Sequence, residues 1–195
     1  SIVITGTNGK STACKLTQHI FRANRLNAHL GGNIGKPVLD LKIKKKSIVI
    51  IEASSFQLAH TKFLKPNFAA ILNISIDHLD WHNTITNYKD SKFKIFSKQD
   101  SNNFALLNNK KLIKLFKKKK YLSKLIIIRK NSLNNKIKKK ITNDYLTSEP
   151  NLENLLFAHQ ISKMFKIKEK IFLKAVNNFK GLPHRHEMFL KKNEI

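Results

Sequence analysis

Two short runs, Ile2-Val3-Ile4-Thr5 and Ile48-Val49-Ile50-Ile51, are apolar or β-branched at nearly every position, with no alternation of polar and apolar side chains. A strand with one solvated face alternates; a strand that is apolar throughout needs cover on both faces, as in a parallel sheet between helices. The first run leads into Gly6-Thr7-Asn8-Gly9-Lys10-Ser11-Thr12, and Leu16, Ile20, Phe21 and Ala23 then recur at helical spacing up to Asn24. Strand, glycine turn and helix therefore follow in the order of a phosphate-binding loop. The spelling is short, because Gly6 lies two residues closer to Gly9-Lys10-Ser11 than the G-x-x-x-x-G-K-[ST] template requires.

The same patterns predict strands at Ala28–Leu30, Phe68–Ser75, FALLN and LIIIR, and a brief helix after Pro37. They predict further helices at Thr84–Lys98, between FALLN and LIIIR, at Leu152–Phe165 and at Lys168–Phe179. Asn131–Ser148 is polar and poorly periodic and reads as loop with one short strand. Alternating strands and helices make an α/β domain with a mainly parallel sheet flanked by helices. The 195 residues can hold one sizeable core, or one domain and part of another.

No run approaches the length of a membrane helix and no leader pattern is present, so a cytoplasmic protein without a membrane partner is expected. The net charge of +26 would suit nucleic acid. Arginine, however, occurs only at 22, 25, 129 and 185, amid abundant Lys, Asn and Ile. That is the signature of an AT-rich coding bias, and the lysine runs at 44–46, 117–120 and 138–140 lack interleaved aromatics. They read as solvated faces, and no nucleic-acid partner is expected. The lone Cys14 excludes an internal disulfide and reads as a packing residue.

All six glycines fall in three places: Gly6 and Gly9, GGNIG at 31–35, and Gly181 in GLPHR. In open α/β sheets ligands gather at the carboxyl ends of strands, where the Gly6–Thr12 loop, Glu52 and the polar stretch after Asn73 would meet. In such a loop backbone N–H groups face phosphate oxygens, Lys10 reaches the terminal phosphates and the Ser11 hydroxyl ligates Mg²⁺. The alternative is a capped glycine turn. Glu52 is placed to hold a metal, or else to cap a helix or pair with a lysine. His78, between Asp77 and Asp80 and near His82, suits a metal or phosphate site, or a loop histidine bonded to its neighbours. On a helix, Ile85, Tyr88, Lys92 and Phe96 share one face, which points Lys92 inward. Burial depresses an ammonium pKa and leaves an amine able to react with carbon dioxide; a snorkelling lysine is the alternative.

In order and spacing, TGTNGKST, GGNIG, IEASSFQL, ILNISIDHLDWH, YKDSK and GLPHRHE resemble the Mur ligases, in particular the D-glutamate-adding branch. The likeness covers nearly the whole chain and is weakest from Lys110 to Thr147. It implies the P-loop-type central ATPase domain of that family over residues 1–181 and the start of a Rossmann-like C-terminal domain over 182–195, so that the chain is a fragment. The implied reaction uses ATP to phosphorylate the alanyl carboxylate of UDP-N-acetylmuramoyl-L-alanine; the D-glutamate amine then displaces phosphate to form an amide in peptidoglycan synthesis. The resemblance also implies residue roles. Gly6, Thr7, Asn8, Gly9, Lys10, Ser11 and Thr12 would bind ATP, with Lys10 on its β/γ-phosphates. Asn151 and Asn154 would lie near the adenine and Arg185 would reach the phosphates. Ser11 and Glu52 would hold one Mg²⁺, and His78 with a carbamylated Lys92 a second, which gives Lys10, His78 and Lys92 the catalytic roles. Asn33, Ser54 and Gln57 would line the substrate side, in a monomer. Trp81 departs from the pattern, where arginine is more usual. Another Mur ligase, a folylpolyglutamate synthase and, from a different class, a basic nucleic-acid-binding protein are the alternatives.

Overall fold

The computed structural model describes residues 1–182. Arg185, and the expected second domain from residue 183 onward, lie outside the described residues. Six strands form one parallel sheet in the order β2-β3-β1-β4-β5-β6: β1 Ile2–Thr5, β2 Ala28–Gly32, β3 Ile48–Glu52, β4 Phe68–Ile71, β5 Phe104–Leu107 and β6 Lys124–Ile127. The central strand β1 lies between β3 and β4, with Ile4 beside Glu52 and beside Ala70.

The uninterrupted apolar runs have the physical cause read from them, since each strand feeds two cores. Ile2, Ile4, Ile50, Ala70 and Leu106 face a layer made by α1 (Lys10–Ala23), α8 (Glu149–Met164) and α9 (Glu169–Asn177). Val3, Ala69, Ile71, Ala105 and Leu107 face the opposite layer, with α2 (Ser55–His60), α4 (Ile85–Phe93) and α5 (Lys110–Lys118). Cys14 is fully buried, as a packing residue should be, and the lysines at 44–46, 117–120 and 138–140 are exposed.

Several boundaries differ from the sequence-based expectation. β4 stops at Ile71, because the chain beyond it turns to meet the glycine loop: Leu72 N donates to Thr5 O at 2.9 Å and Thr7 N donates to Asn73 O at 3.0 Å. β2 runs on to Gly32. The expected helix 84–98 ends at Phe93 and tightens into a 3₁₀ turn at Lys94–Phe96. Asn131–Ser148 holds no strand but two short helices, α6 (Asn135–Lys138) and α7 (Asp144–Thr147). Each starts on an asparagine cap, Asn134 accepting from Ile137 N and Asn143 from Leu146 N, while Ile137, Ile141 and Leu146 are buried. Capping asparagines hidden in an asparagine-rich stretch explain the miss. A further short helix, α3 (Leu79–His82), lies in the polar stretch after β4.

Candidate functional site

The loop from Gly6 to Gly9 leaves the carboxyl end of β1 and enters α1 without a side-chain cap. The first N–H groups of a helix lack intrahelical acceptors, and with the helix dipole they favour an anion. Gly9 has φ +83°, and a β-carbon there would collide with the carboxamide of Asn154. Both conditions select glycine. The loop is clamped from two sides. Asn8 N donates to Asn73 Oδ1 at 2.9 Å, Asn73 Nδ2 donates to Glu153 Oε2 at 2.6 Å, and the Thr7 and Tyr88 hydroxyls lie 3.0 Å apart. Lys10 Nζ folds back onto the carbonyls of Gly6, at 3.0 Å, and Thr7, at 2.8 Å. A cation held over its own loop is close to where phosphate oxygens would lie.

Glu52 ends β3 one strand away and is only 2% exposed. Its Oε1 accepts from Asn33 Nδ2 at 3.3 Å, while Oε2 has no hydrogen-bond partner. An uncompensated buried carboxylate oxygen is costly, and a hard cation is the partner that would offset it. Ser11, buried at the start of α1, adds a hydroxyl on the same side of the sheet. The donor set fits a divalent cation such as Mg²⁺. Asn33 also donates its backbone N–H to Glu52 O at 2.9 Å, so the GGNIG turn is built around the acid.

Lys92 is 1% exposed, and Tyr88 and Phe96 are buried with it, as the helical spacing predicts; Ile85 is half-buried. Lys92 Nζ donates to Gly6 O at 2.9 Å and to Thr5 Oγ1 at 3.4 Å, and lies 4.7 Å from the centre of the Tyr88 ring. Burial, then the charge of Lys10, pull its pKa down to about 7, against the opposing pull of Asp77. A large neutral fraction is therefore present near neutrality, which a snorkelling lysine would lack. His78 caps α3 in the left-handed region, φ +52°, with its side chain 46% exposed and 3.4 Å from Asp77. Its ring meets Phe56 and the edge of Tyr88, so His78 and Lys92 both abut Tyr88. No group of three or more His, Cys, Asp or Glu side chains is placed to hold a metal among the described residues. A cation here would draw on the serine hydroxyl and Lys92 as well.

Ser54 and Gln57 form a reciprocal capping box at the start of α2: Gln57 N donates to Ser54 Oγ at 3.2 Å and Ser54 N to Gln57 Oε1 at 2.9 Å. That accounts locally for both residues and fixes them just beyond Glu52. Asn151 and Asn154 are buried at the start of α8, linked to each other at 3.2 Å, with Asn151 Nδ2 donating to Tyr145 O at 3.0 Å. Thr12 is buried with its hydroxyl 3.4 Å from Tyr145 OH. Trp81 packs edge-on to Phe56 and His82. Residue-type reasoning missed Asn73, Glu153 and Tyr88 as loop clamps; only the placement of Asn73 at a strand end hinted at it. Beside the clamp a cavity of about 590 Å³ opens, with Ser75, Lys89, Lys110 and Lys111 on its wall.

Residues 4–177 match the Mur ligase middle domain family. The chain is 35% identical to UDP-N-acetylmuramoylalanine–D-glutamate ligase of Rickettsia felis and 36% identical to the enzyme of that name from Buchnera aphidicola. Each alignment takes in 100% of this chain and 47% of the relative, so the chain spans about half the length of these curated relatives. The fold is similar to that of MurF ligase from Thermotoga maritima in complex with ADP, at a TM-score of 0.72 and 16% identity, over 98% of this chain and 51% of that one. It is also similar to UDP-N-acetylmuramate:L-alanyl-gamma-D-glutamyl-meso-diaminopimelate ligase from Neisseria meningitides, at a TM-score of 0.68 and 15% identity, over 93% and 66%.

Proposed function

Because the chain belongs to the Mur ligase middle domain family, we propose that it is the nucleotide-binding part of an ATP-dependent ligase that adds D-glutamate to UDP-N-acetylmuramoyl-L-alanine. The observation that carries this is a folded-back lysine and a second, buried lysine of lowered pKa on one glycine-loop carbonyl, with a buried acid bearing an unpartnered oxygen at the end of the adjacent strand. ATP-dependent amide formation can use such groups to bind phosphates and neutralise their charge. Its first step transfers the γ-phosphoryl group to a carboxylate oxygen; its second forms the C–N bond and expels phosphate with that oxygen.

Lys10 and the N–H groups of the loop, Gly6 to Thr12, hold the phosphates of ATP and draw off charge as the γ-phosphoryl group moves. Ser11 and Glu52 would hold one Mg²⁺, and His78 with Lys92 a second. Lys92 in its neutral form can add to carbon dioxide: its nitrogen bonds the carbon as one C=O π bond opens, a proton is released to water, and the resulting carbamate would offer an anionic oxygen to a cation while keeping one N–H. Mg²⁺ bound there would supply charge neutralisation for the moving phosphoryl group. Asn33, which bonds Glu52, together with Ser54 and Gln57 would line the substrate side; Asn151 and Asn154 would lie near the adenine, and Arg185 would reach the phosphates. We assign residues 1–181 to this domain, 182–195 to the start of the next, and a cytoplasmic monomer as the working form, with no role for nucleic acid or membrane.

The test is isotopic. With the native protein, UDP-N-acetylmuramoyl-L-alanine labelled with ¹⁸O in its carboxylate, ATP and D-glutamate should give inorganic phosphate carrying one ¹⁸O per amide formed. Unlabelled phosphate, or equal use of L-glutamate, would contradict the assignment.

A further inference from the structure

His82 closes α3 and is 3% exposed, yet both of its ring nitrogens are engaged. Nε2 lies 2.9 Å from Ser55 Oγ and Nδ1 lies 3.4 Å from Ser91 Oγ. Ser91 Oγ donates its own proton to Asn87 O at 2.8 Å, so toward His82 it accepts. That makes Nδ1 the protonated nitrogen and Nε2 the acceptor of the Ser55 hydroxyl. Burial first, then the charges of Lys92 and His78, lowers its pKa against Asp80, which favours this neutral tautomer. Phe56, Tyr88 and Trp81 enclose it, with ring centroids at 5.6, 5.1 and 4.4 Å. Asn87 Nδ2 donates to His82 O at 3.0 Å, which ties the backbone of α3 to α4 as well.

The three segments joined in this way are those that carry the proposed cation ligands outside α1. Ser55 is three residues beyond Glu52, Ser91 precedes Lys92, and α3 begins directly after His78. A serine hydroxyl 2.9 Å from an imidazole also resembles a nucleophile and its base. Here Ser55 is 2% exposed and His82 is walled in by aromatic rings, so no substrate reaches the pair.

We infer that His82 is a positioning residue: by bonding Ser55 and Ser91 from the two sides of one ring, it fixes the spacing of His78, Lys92 and Glu52 on which cation binding depends. The inference rests on the cation roles proposed above. Imidazole suits the task because a rigid ring offers one donor and one acceptor at separate nitrogens. Groups hydrogen-bonded directly to metal ligands commonly govern metal affinity by about 10- to 100-fold; His82 acts one step further out, through the segments that carry the ligands, so the lower end of that range is expected.

The experiment is a Mg²⁺ titration of ATP binding by calorimetry, with ATP binding in chelator as the reference. His82→Phe keeps an aromatic ring in the pocket but removes both hydrogen bonds. It should raise the half-saturating Mg²⁺ about tenfold while metal-free ATP affinity stays unchanged. Ser55→Ala and Ser91→Ala should each raise it less, and neither should add to His82→Phe. If His82→Phe does not fold, the Ser55→Ala/Ser91→Ala double variant carries the test, with a rise in the same direction expected. An unchanged Mg²⁺ requirement in the folded variant, alongside a raised one in Lys92→Ala, would overturn the positioning role and leave the cation site standing. An unchanged requirement in Lys92→Ala and Glu52→Gln as well would overturn both.

Discussion

Lys92 Nζ lies 2.9 Å from the carbonyl oxygen of Gly6, the same oxygen that Lys10 Nζ reaches at 3.0 Å. Two lysines on helices α4 and α1 thus share one acceptor at the first turn of the glycine loop. Two like charges that close cannot both be held cheaply in a buried place, and the lowered pKa of Lys92, due first to burial and then to Lys10, is the response.

A pH signature follows for stability. The unfolded chain keeps the Lys92 proton up to about pH 10.5, whereas the folded chain releases it near 7. Between those values the unfolded state binds more protons, so stability rises with pH; below 7 the penalty is fully present and constant. Lys92→Met lacks this slope. The difference in unfolding free energy between wild type and Lys92→Met should shift in favour of wild type by up to about 1.4 kcal/mol per pH unit within that window. Parallel denaturant curves at pH 7 and 9 check it, and equal pH dependence would remove the buried-cation account.

In the native protein Lys92→Ala should nearly abolish ligation, and Lys92→Arg should not restore it, because guanidinium does not form a carbamate. Small carboxylates such as formate or acetate should recover part of the rate, in a manner that depends jointly on their concentration and on Mg²⁺. A Lys92→Ala protein at wild-type rate in carbon-dioxide-depleted buffer would show that the lysine has no part in the chemistry.

Gly9→Ala combines a left-handed backbone with a collision against Asn154. It should cost on the order of 1–3 kcal/mol of stability and weaken ATP binding as the loop shifts. Adding Asn154→Ala relieves the collision but not the backbone strain, so the two effects should be less than additive. Thermal melts of the four proteins measure the cycle. Strict additivity would mean that the loop and α8 are not in contact as described.

His159 is 5% exposed, its Nδ1 has no hydrogen-bond partner, and burial with the nearby Lys163 charge pulls its pKa down to about 4, against Glu169. The unfolded chain takes up this proton near pH 6.5, the folded chain only near 4, so stability falls as pH drops through that interval. The loss should reach on the order of 3 kcal/mol by pH 4, and His159→Phe should remove that part of the acid sensitivity. Equal acid profiles for the two proteins would contradict it.

The sheet was legible because uninterrupted runs such as Ile48–Ile51 have one physical explanation, cover on both faces, and the two cores supply it. The loop was legible because glycine is scarce, so Gly9 could be linked to a backbone requirement. The inward direction of Lys92 was legible from helical spacing, but spacing alone left a snorkelling lysine open, and its burial decides against that. The clamps were not: Asn73, Tyr88 and Glu153 act through pairings across 65 to 81 positions of chain, which no local pattern records. His82 looked like one more member of a His/Asp cluster, and only its burial between Ser55 and Ser91 separates it from the exposed His78. The helices of 135–147 were hidden for a related reason, since asparagine serves equally in loops and caps.

The central claim is that the Gly6–Thr12 loop binds the phosphates of ATP through Lys10. Titration calorimetry with Mg-ATP on the wild-type chain and on Lys10→Ala tests it directly. Saturable one-to-one binding by the wild type, weakened at least about tenfold in Lys10→Ala, a loss of about 1.4 kcal/mol, is the predicted result. Equal affinity in the two proteins, or no binding by a folded wild-type chain, would contradict it.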